Sequence, residues 1–233
     1  KPSFCKRIEY PLIHRLFVYI IFLLSLVACQ SKPAANADVR CVFSADSAYT
    51  YIAQQVAFGA RVPDSEEHTD CGDWLVRKLA QFGAQVQNQY GTMTNYAGEV
   101  QSLRNIVAFM EGNTQYAILL CAHWDSRPWS DEEPLYENRF MPVIGANDGA
   151  SGVGIILEIL RQLSIRKANG EFIPSVQIVF FDCEDMGTPT HYTGKEREHT
   201  WCLGSQYWAK EYKQNCVDGK SSHCKLQYGI LLD

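Results

Sequence analysis

The sequence predicts an α/β sandwich with a largely parallel sheet at its centre. Three apolar runs carry that prediction: Tyr116–Cys121 (YAILLC), Ser175–Phe181 (SVQIVFF) and Tyr228–Leu232 (YGILL). A strand covered on both faces reads as an unbroken apolar run rather than an alternating one. Helical patterns lie between the runs, and strands that alternate with helices fold as a layered α/β domain. The chain has 233 residues and is 46% hydrophobic, enough to bury a core, which excludes disordered, collagenous and coiled-coil classes.

The elements follow in order. Residues 45–58 (ADSAYTYIAQQVAF) read as a helix that stops at Gly59, and Pro63 and Asp64 mark a turn in the loop after it. Residues 69–82 form the next helix, with Trp74, Leu75, Leu79 and Phe82 on one face and Gly83 as its stop. Strands are expected around 84–90 and 102–110, before a Gly112-Asn113 turn. Residues 149–165 keep three-four spacing through Val153, Ile156, Leu157, Leu160 and Leu163, and a short helix is expected over 205–213. No repeat or low-complexity tract interrupts residues 45–233, which read as one domain.

The N-terminal part has a different character. A basic flank, KPSFCKRIEYPLIHR, precedes thirteen uncharged residues, Leu16 to Ala28. That run is short of the roughly 20 apolar residues a membrane-spanning helix needs, so residues 1–28 read as a secretory signal. Its end, Leu26-Val27-Ala28-Cys29, resembles a bacterial lipobox. The resemblance implies a lipid on Cys29, a tether over 29–44, and a membrane-anchored lipoprotein facing the periplasm or cell exterior. The net charge is −5, or −8 without residues 1–28, which argues against a nucleic-acid partner. Export makes disulfides possible. Without Cys5 and Cys29 seven cysteines remain, an odd number, so at least one thiol is expected to be free. Cys216 and Cys224 flank a polar stretch that a disulfide would clip, although spacing alone does not assign pairs.

Chemistry gathers where the apolar runs end. The first leads into His123-Trp124-Asp125, the second into Asp182-Cys183-Glu184-Asp185, and the third into Asp233. Ligands of open α/β sheets bind beyond the carboxyl ends of the strands. Asp148, in GANDGASG, stands just before the long helix, where a helix N-terminus favours an anion and glycines let backbone approach closely. A lone Asp there would read as a helix cap, and a lone His as structural. Together at one sheet edge they point to a metal-dependent site, because carboxylate and imidazole are donors that suit zinc.

The motifs HWDS, GANDGASGVG, FFDCEDMG, CLGSQYW and ILLD, with the upstream FGARVPDSEEH and CGDWLVRKL, resemble the zinc-dependent aminopeptidase superfamily. Within it they are most similar to the glutaminyl-peptide cyclotransferases, specifically the bacterial enzymes of animal type. The likeness runs from about residue 45 to the end. It implies a three-layer sandwich around a mixed, largely parallel sheet, and one zinc ion. Asp148 and Asp185 match zinc ligands, Asp185 standing where many members carry Glu. Glu184 matches the general acid/base and Asp233 an acid that hydrogen-bonds beside the substrate. His123 and Asp125 match ligands of a second metal in two-zinc aminopeptidases and are expected here to support the site from behind. The family's third zinc ligand is a His later in the domain, so the chain reads as C-terminally truncated; His68, His191, His199 and His223 match no such motif.

The implied reaction closes an N-terminal glutaminyl residue of a peptide or protein to pyroglutamyl and releases ammonia. Trp124, Trp129 and Trp201 are candidates for an apolar wall around the side chain. Two alternatives remain open at this stage. One is a two-zinc aminopeptidase in which Glu184 activates water. The other is a lipoprotein that keeps the fold to bind without turnover.

Overall fold

The computed structural model describes residues 43–195, 197–212 and 225–233. The signal segment 1–28, most of the tether 29–44, Cys29, Cys41 and the Cys216–Cys224 stretch lie outside the described residues. Five strands form one sheet in the order β1-β2-β4-β3-β5. They are β1 (Gln85–Thr94), β2 (Val100–Met110), β3 (Ala117–His123), β4 (Ser175–Phe181) and β5 (Leu226–Leu231). β3 pairs parallel with both β4 and β5, whereas β1 with β2 and β2 with β4 are antiparallel. The helices are α1 (Ala45–Val56), α2 (Glu66–Gln81), α3 (Ala150–Ala168) and α4 (Leu203–Glu211), with a 3₁₀ turn at Tyr136–Phe140. Among the described residues no helix is long and apolar enough to cross a membrane.

The period of two along each strand sorts the core into layers. Ile106, Ala108 and Met110 of β2, Leu120 and Ala122 of β3 and Val176, Ile178 and Phe180 of β4 share one core with Leu75 and Leu79 of α2 and Val153, Ile156, Leu157 and Leu160 of α3. The intervening residues Val107, Phe109, Cys121, Val179 and Phe181 face the other way, where Trp208 of α4 packs on them. Each fully buried leucine contributes about 2 kcal/mol of transfer free energy. The sheet therefore lies between layers of helices, as the apolar runs predict.

Two expectations shift. Helix α2 begins at Glu66 rather than Thr69, because the Ser65 side chain accepts a hydrogen bond from the His68 amide at 3.1 Å and Glu66 and Glu67 occupy the first turn. The third apolar run is not a buried strand. Tyr228, Ile230 and Leu231 are exposed, since β5 pairs with β3 on one side and, among the described residues, has no strand on the other. An apolar run records composition, and only its neighbours in the sheet decide burial.

Candidate active site

Two parallel strands end side by side at the site. β3 delivers His123, only 1% exposed, and then Trp124 and Asp125, both fully buried. Trp124 continues the pairing, its amide donating to the Phe181 carbonyl of β4. The chain then turns sharply at Cys183, whose φ of 54° is left-handed. That turn presents Glu184 and Asp185 to the edge of the sheet. Asp125 holds it there: its two carboxylate oxygens accept the Glu184 amide at 3.1 Å and the Asp185 amide at 3.3 Å.

Asp148 reaches the same place from the loop before α3. The residue that caps α3 is Gly149, and the Asp148 carboxylate lies 2.7 Å from His123 Nε2 instead of capping the helix. Gly149 has a φ of 89°, and a Cβ there would stand 2.7 Å from the Asp125 carbonyl oxygen and 3.1 Å from His123 Cε1. Only glycine lets the loop come this close. A fully buried arginine fixes the loop from beneath. Arg61 donates from Nε to the Trp124 carbonyl at 2.9 Å, from Nη1 to Ile144 at 2.8 Å and from Nη2 to Gly145 at 2.7 Å. One guanidinium thus ties the exit of β3 to the loop that carries Asp148.

His123, Asp148 and Asp233 bring one donor atom each within 4.8 Å of one another. His123 Nδ1 lies 3.4 Å from the buried Asp125, which orients the ring so that Nε2 faces Asp148 and Asp233. An imidazole backed by a carboxylate and aimed at two further carboxylates is a donor set that fits a divalent cation such as zinc. Asp125 lies behind the ring, on its Nδ1 side. His123 stands in the front of the site with the donors. Asp185 lies outside that group of three, with its carbonyl accepting from Arg127 Nη1 at 2.8 Å.

The electrostatics show why a cation suits this edge. Burial alone would lower the His123 pKa, but hydrogen bonds to Asp125 and Asp148 push it up to about 11. The His123 hydrogen bond holds Asp148 below the usual carboxylate range. Burial, followed by repulsion from Asp125 and Asp148, raises Asp185 to about 7. Burial also raises Glu184, with Asp125, Asp233 and Asp148 adding to the effect against the opposing His123. The carboxylates outnumber the positive charge in their midst.

Trp124 is not a wall of the site. It is fully buried, stacked on His68 at 4.0 Å between ring centroids, and donates from Nε1 to the Arg104 carbonyl. Trp129 and Trp201 do line a cleft beside the acids. Sequence reasoning missed Arg61, and it missed the role of His68, whose Nε2 bonds the fully buried Asp182 at 2.8 Å. The His68 signal was available, because it shares the buried face of α2 with Cys71, Gly72, Leu75 and Leu79. Arg61 offered only its place in the FGARVPDSEEH segment, which gives no sign of what the guanidinium holds.

Residues 105–233 match the family model described as peptidase family M28. The chain belongs to peptidase family M28. A glutaminyl cyclase of Bacteroides thetaiotaomicron, solved with N-acetylhistamine, is 45% identical with a TM-score of 0.72 over 82% of this chain and 62% of that one. A Zn-dependent exopeptidase from Parabacteroides distasonis is likewise 45% identical, with a TM-score of 0.71 over 82% of this chain and 61% of its own. Leucine aminopeptidase 1 of Paracoccidioides brasiliensis is 25% identical over 194 residues, 82% of this chain and 45% of that protein. This M28 chain therefore spans less than two thirds of these relatives, and the α/β sandwich with its mixed sheet is the fold they share with it.

Proposed function

We propose that the protein is a zinc-dependent glutaminyl-peptide cyclotransferase that converts N-terminal glutaminyl residues of peptides to pyroglutamyl and releases ammonia. The observation that carries this reading is the 45% identity to a glutaminyl cyclase along 82% of the chain. The chemistry of the site agrees with it. The nucleophile is the substrate's own α-amine, so ring closure is intramolecular and holding the chain end in place contributes much of the rate. Glu184, half-buried and with its proton affinity raised, takes a proton from the attacking amine and returns it to the departing nitrogen. Asp233, on the same edge, accepts a hydrogen bond from the amine or the amide nitrogen. Bound zinc would polarise the γ-amide carbonyl and stabilise the charge that develops on its oxygen. Asp148 holds the ion in every version of the site. Asp185 joins it by the family likeness, and His123 by its position.

One observation favours a second reading. His123 and Asp233 converge on Asp148, a grouping that suits a two-zinc aminopeptidase in which Glu184 activates water. The two are separated by assaying the full-length protein for ammonia release from Gln-peptides and for hydrolysis of Leu-anilides, beside its zinc content. One zinc with ammonia release is expected; two zincs with anilide hydrolysis would overturn the first reading. We further infer export and a lipid on Cys29. Fractionation of cells expressing Cys29→Ser should move the protein from membrane to soluble fractions, and retention as firm as wild type would refute the anchor.

A further inference from the structure

A cleft of about 520 Å³ opens beside the acids, between the loop after β3 and the segment after β4. Trp129 and Trp201 form its walls, and Arg127 lies over both indoles, 5.5 and 4.7 Å from the ring centroids. Arg127 also donates to the Asp185 carbonyl at 2.8 Å, so one wall of the cleft is tied to the residue after Glu184. The charge of Arg127 is already matched. Asp131 forms an ion pair with it and accepts from the Thr190 amide at 3.2 Å. Glu132 and Glu133 on the rim are exposed, and among the described residues neither carboxylate is paired with a cation. Along the lining one cation thus faces three acids, with Arg139 just outside it donating to the Glu133 carbonyl at 2.7 Å.

We infer that this cleft receives the second and third residues of a peptide substrate and favours Lys or Arg there over Asp or Glu. The inference rests on the reading of peptide N-termini as substrates. An extended chain advances roughly 3.3 Å per residue, so a peptide with its amine at Glu184 brings its next residues within reach of a cleft whose Arg127 wall bonds the Asp185 carbonyl. Lysine and arginine carry long apolar stems that lie along an indole while their charged ends stay in water. The half-exposed Trp201 offers such a face, and Glu132 and Glu133 stand beside it to meet the charge. An acidic residue in the same place meets the charges of Glu132 and Glu133, while Arg127 is already held by Asp131.

The test uses the full-length zinc-loaded protein and three peptides, Gln-Lys-Phe-amide, Gln-Ala-Phe-amide and Gln-Glu-Phe-amide. Binding is read by tryptophan fluorescence in a Glu184→Gln background, and turnover as ammonia release in wild type. The Lys peptide should bind roughly tenfold tighter than the Glu peptide at low salt, and the ratio should shrink as salt screens the rim. In Glu132→Gln/Glu133→Gln the ratio should fall to within about twofold, the level left by weak exposed charges. Equal binding of the Lys and Glu peptides would overturn the inference. So would a preference that survives the double substitution, since the general acidity of the protein would then explain it. Selective binding that the double substitution abolishes, without ammonia from any Gln-peptide, would uphold the cleft and refute the cyclisation reading.

Discussion

Two histidine–aspartate pairs lie at the same edge of one sheet, and they are built for opposite ends. His68 and Asp182 are both buried and 2.8 Å apart. Asp182 also accepts the Arg104 amide at 2.6 Å and the Cys183 amide at 2.8 Å, while the His68 ring lies flat on Trp124. His123 and Asp148 are 2.7 Å apart, but the Asp148 side chain is 62% exposed and other carboxylates crowd around it. The buried pair is closed, a brace beneath the turn. The open pair keeps acceptor capacity turned outward, and its surplus negative charge favours a bound proton or cation.

The largest effect should come from breaking the closed pair. Asp182→Ala strands His68 and two backbone amides in the interior and should cost about 3–5 kcal/mol of unfolding free energy, read from urea denaturation. Asp148→Ala removes a solvent-facing group and should cost under about 1 kcal/mol, yet abolish stoichiometric zinc after dialysis. Equal destabilisation by the two would erase the distinction. Next in size, Glu184→Gln should lower turnover by about a hundredfold or more with zinc retained, because the amide removes proton transfer alone. Zinc loss in that variant, with retention in Asp185→Ala, would reverse the roles of the two neighbours.

A smaller effect concerns pH. Asp185 has a raised folded-state pKa of about 7, so ionising it costs stability as pH climbs from about 4 to 7. His123, raised to about 11, contributes stability that is complete below its unfolded pKa of about 6.5 and is lost as pH rises toward 11. Both make the folded state bind more protons than the unfolded chain, so the metal-free protein should lose on the order of 10 °C in Tm from pH 5.5 to 8.5. Asp185→Asn should flatten the lower part of that slope. The smallest effect is on thiol labelling. Burial raises Cys71 to about 12 and holds Cys183 well above its ordinary value, while Cys202 is only half-buried. Among the described cysteines, Cys202 should therefore react first with a disulfide reagent in the native protein.

Much of the open pair was legible in the sequence, and little of the closed one. His123, Asp148, Glu184 and Asp185 each follow an apolar run or precede a helix, and such places sit at the ligand-binding edge of an α/β sheet. Asp182 lies next to them in sequence and looks the same, yet it faces inward. The residue that decides this is His68, which comes from a helix more than a hundred positions earlier. Strand β1, expected around 84–90, runs further, to Thr94. QVQNQYGTMT is polar because it is the outer strand of a hairpin with β2, and a half-exposed edge needs no apolar run. Trp124 illustrates the same difficulty. A tryptophan beside a site motif reads as a substrate wall, and only the stacked His68 shows that it is core.

The Arg61 contacts bear on how far the folded unit can be divided. The stretch that matches the family, residues 105–233, contains all the donors and acids discussed, from His123 to Asp233. It does not contain Arg61 or His68. A polypeptide trimmed to that stretch would keep each reactive group and lose both the guanidinium that joins the β3 exit to the Asp148 loop and the imidazole under the turn. The minimal unit by homology is thus smaller than the minimal unit by mechanics. Domain grafting or shuffling at that boundary would carry over an inventory of functional groups without the fixture that sets their spacing.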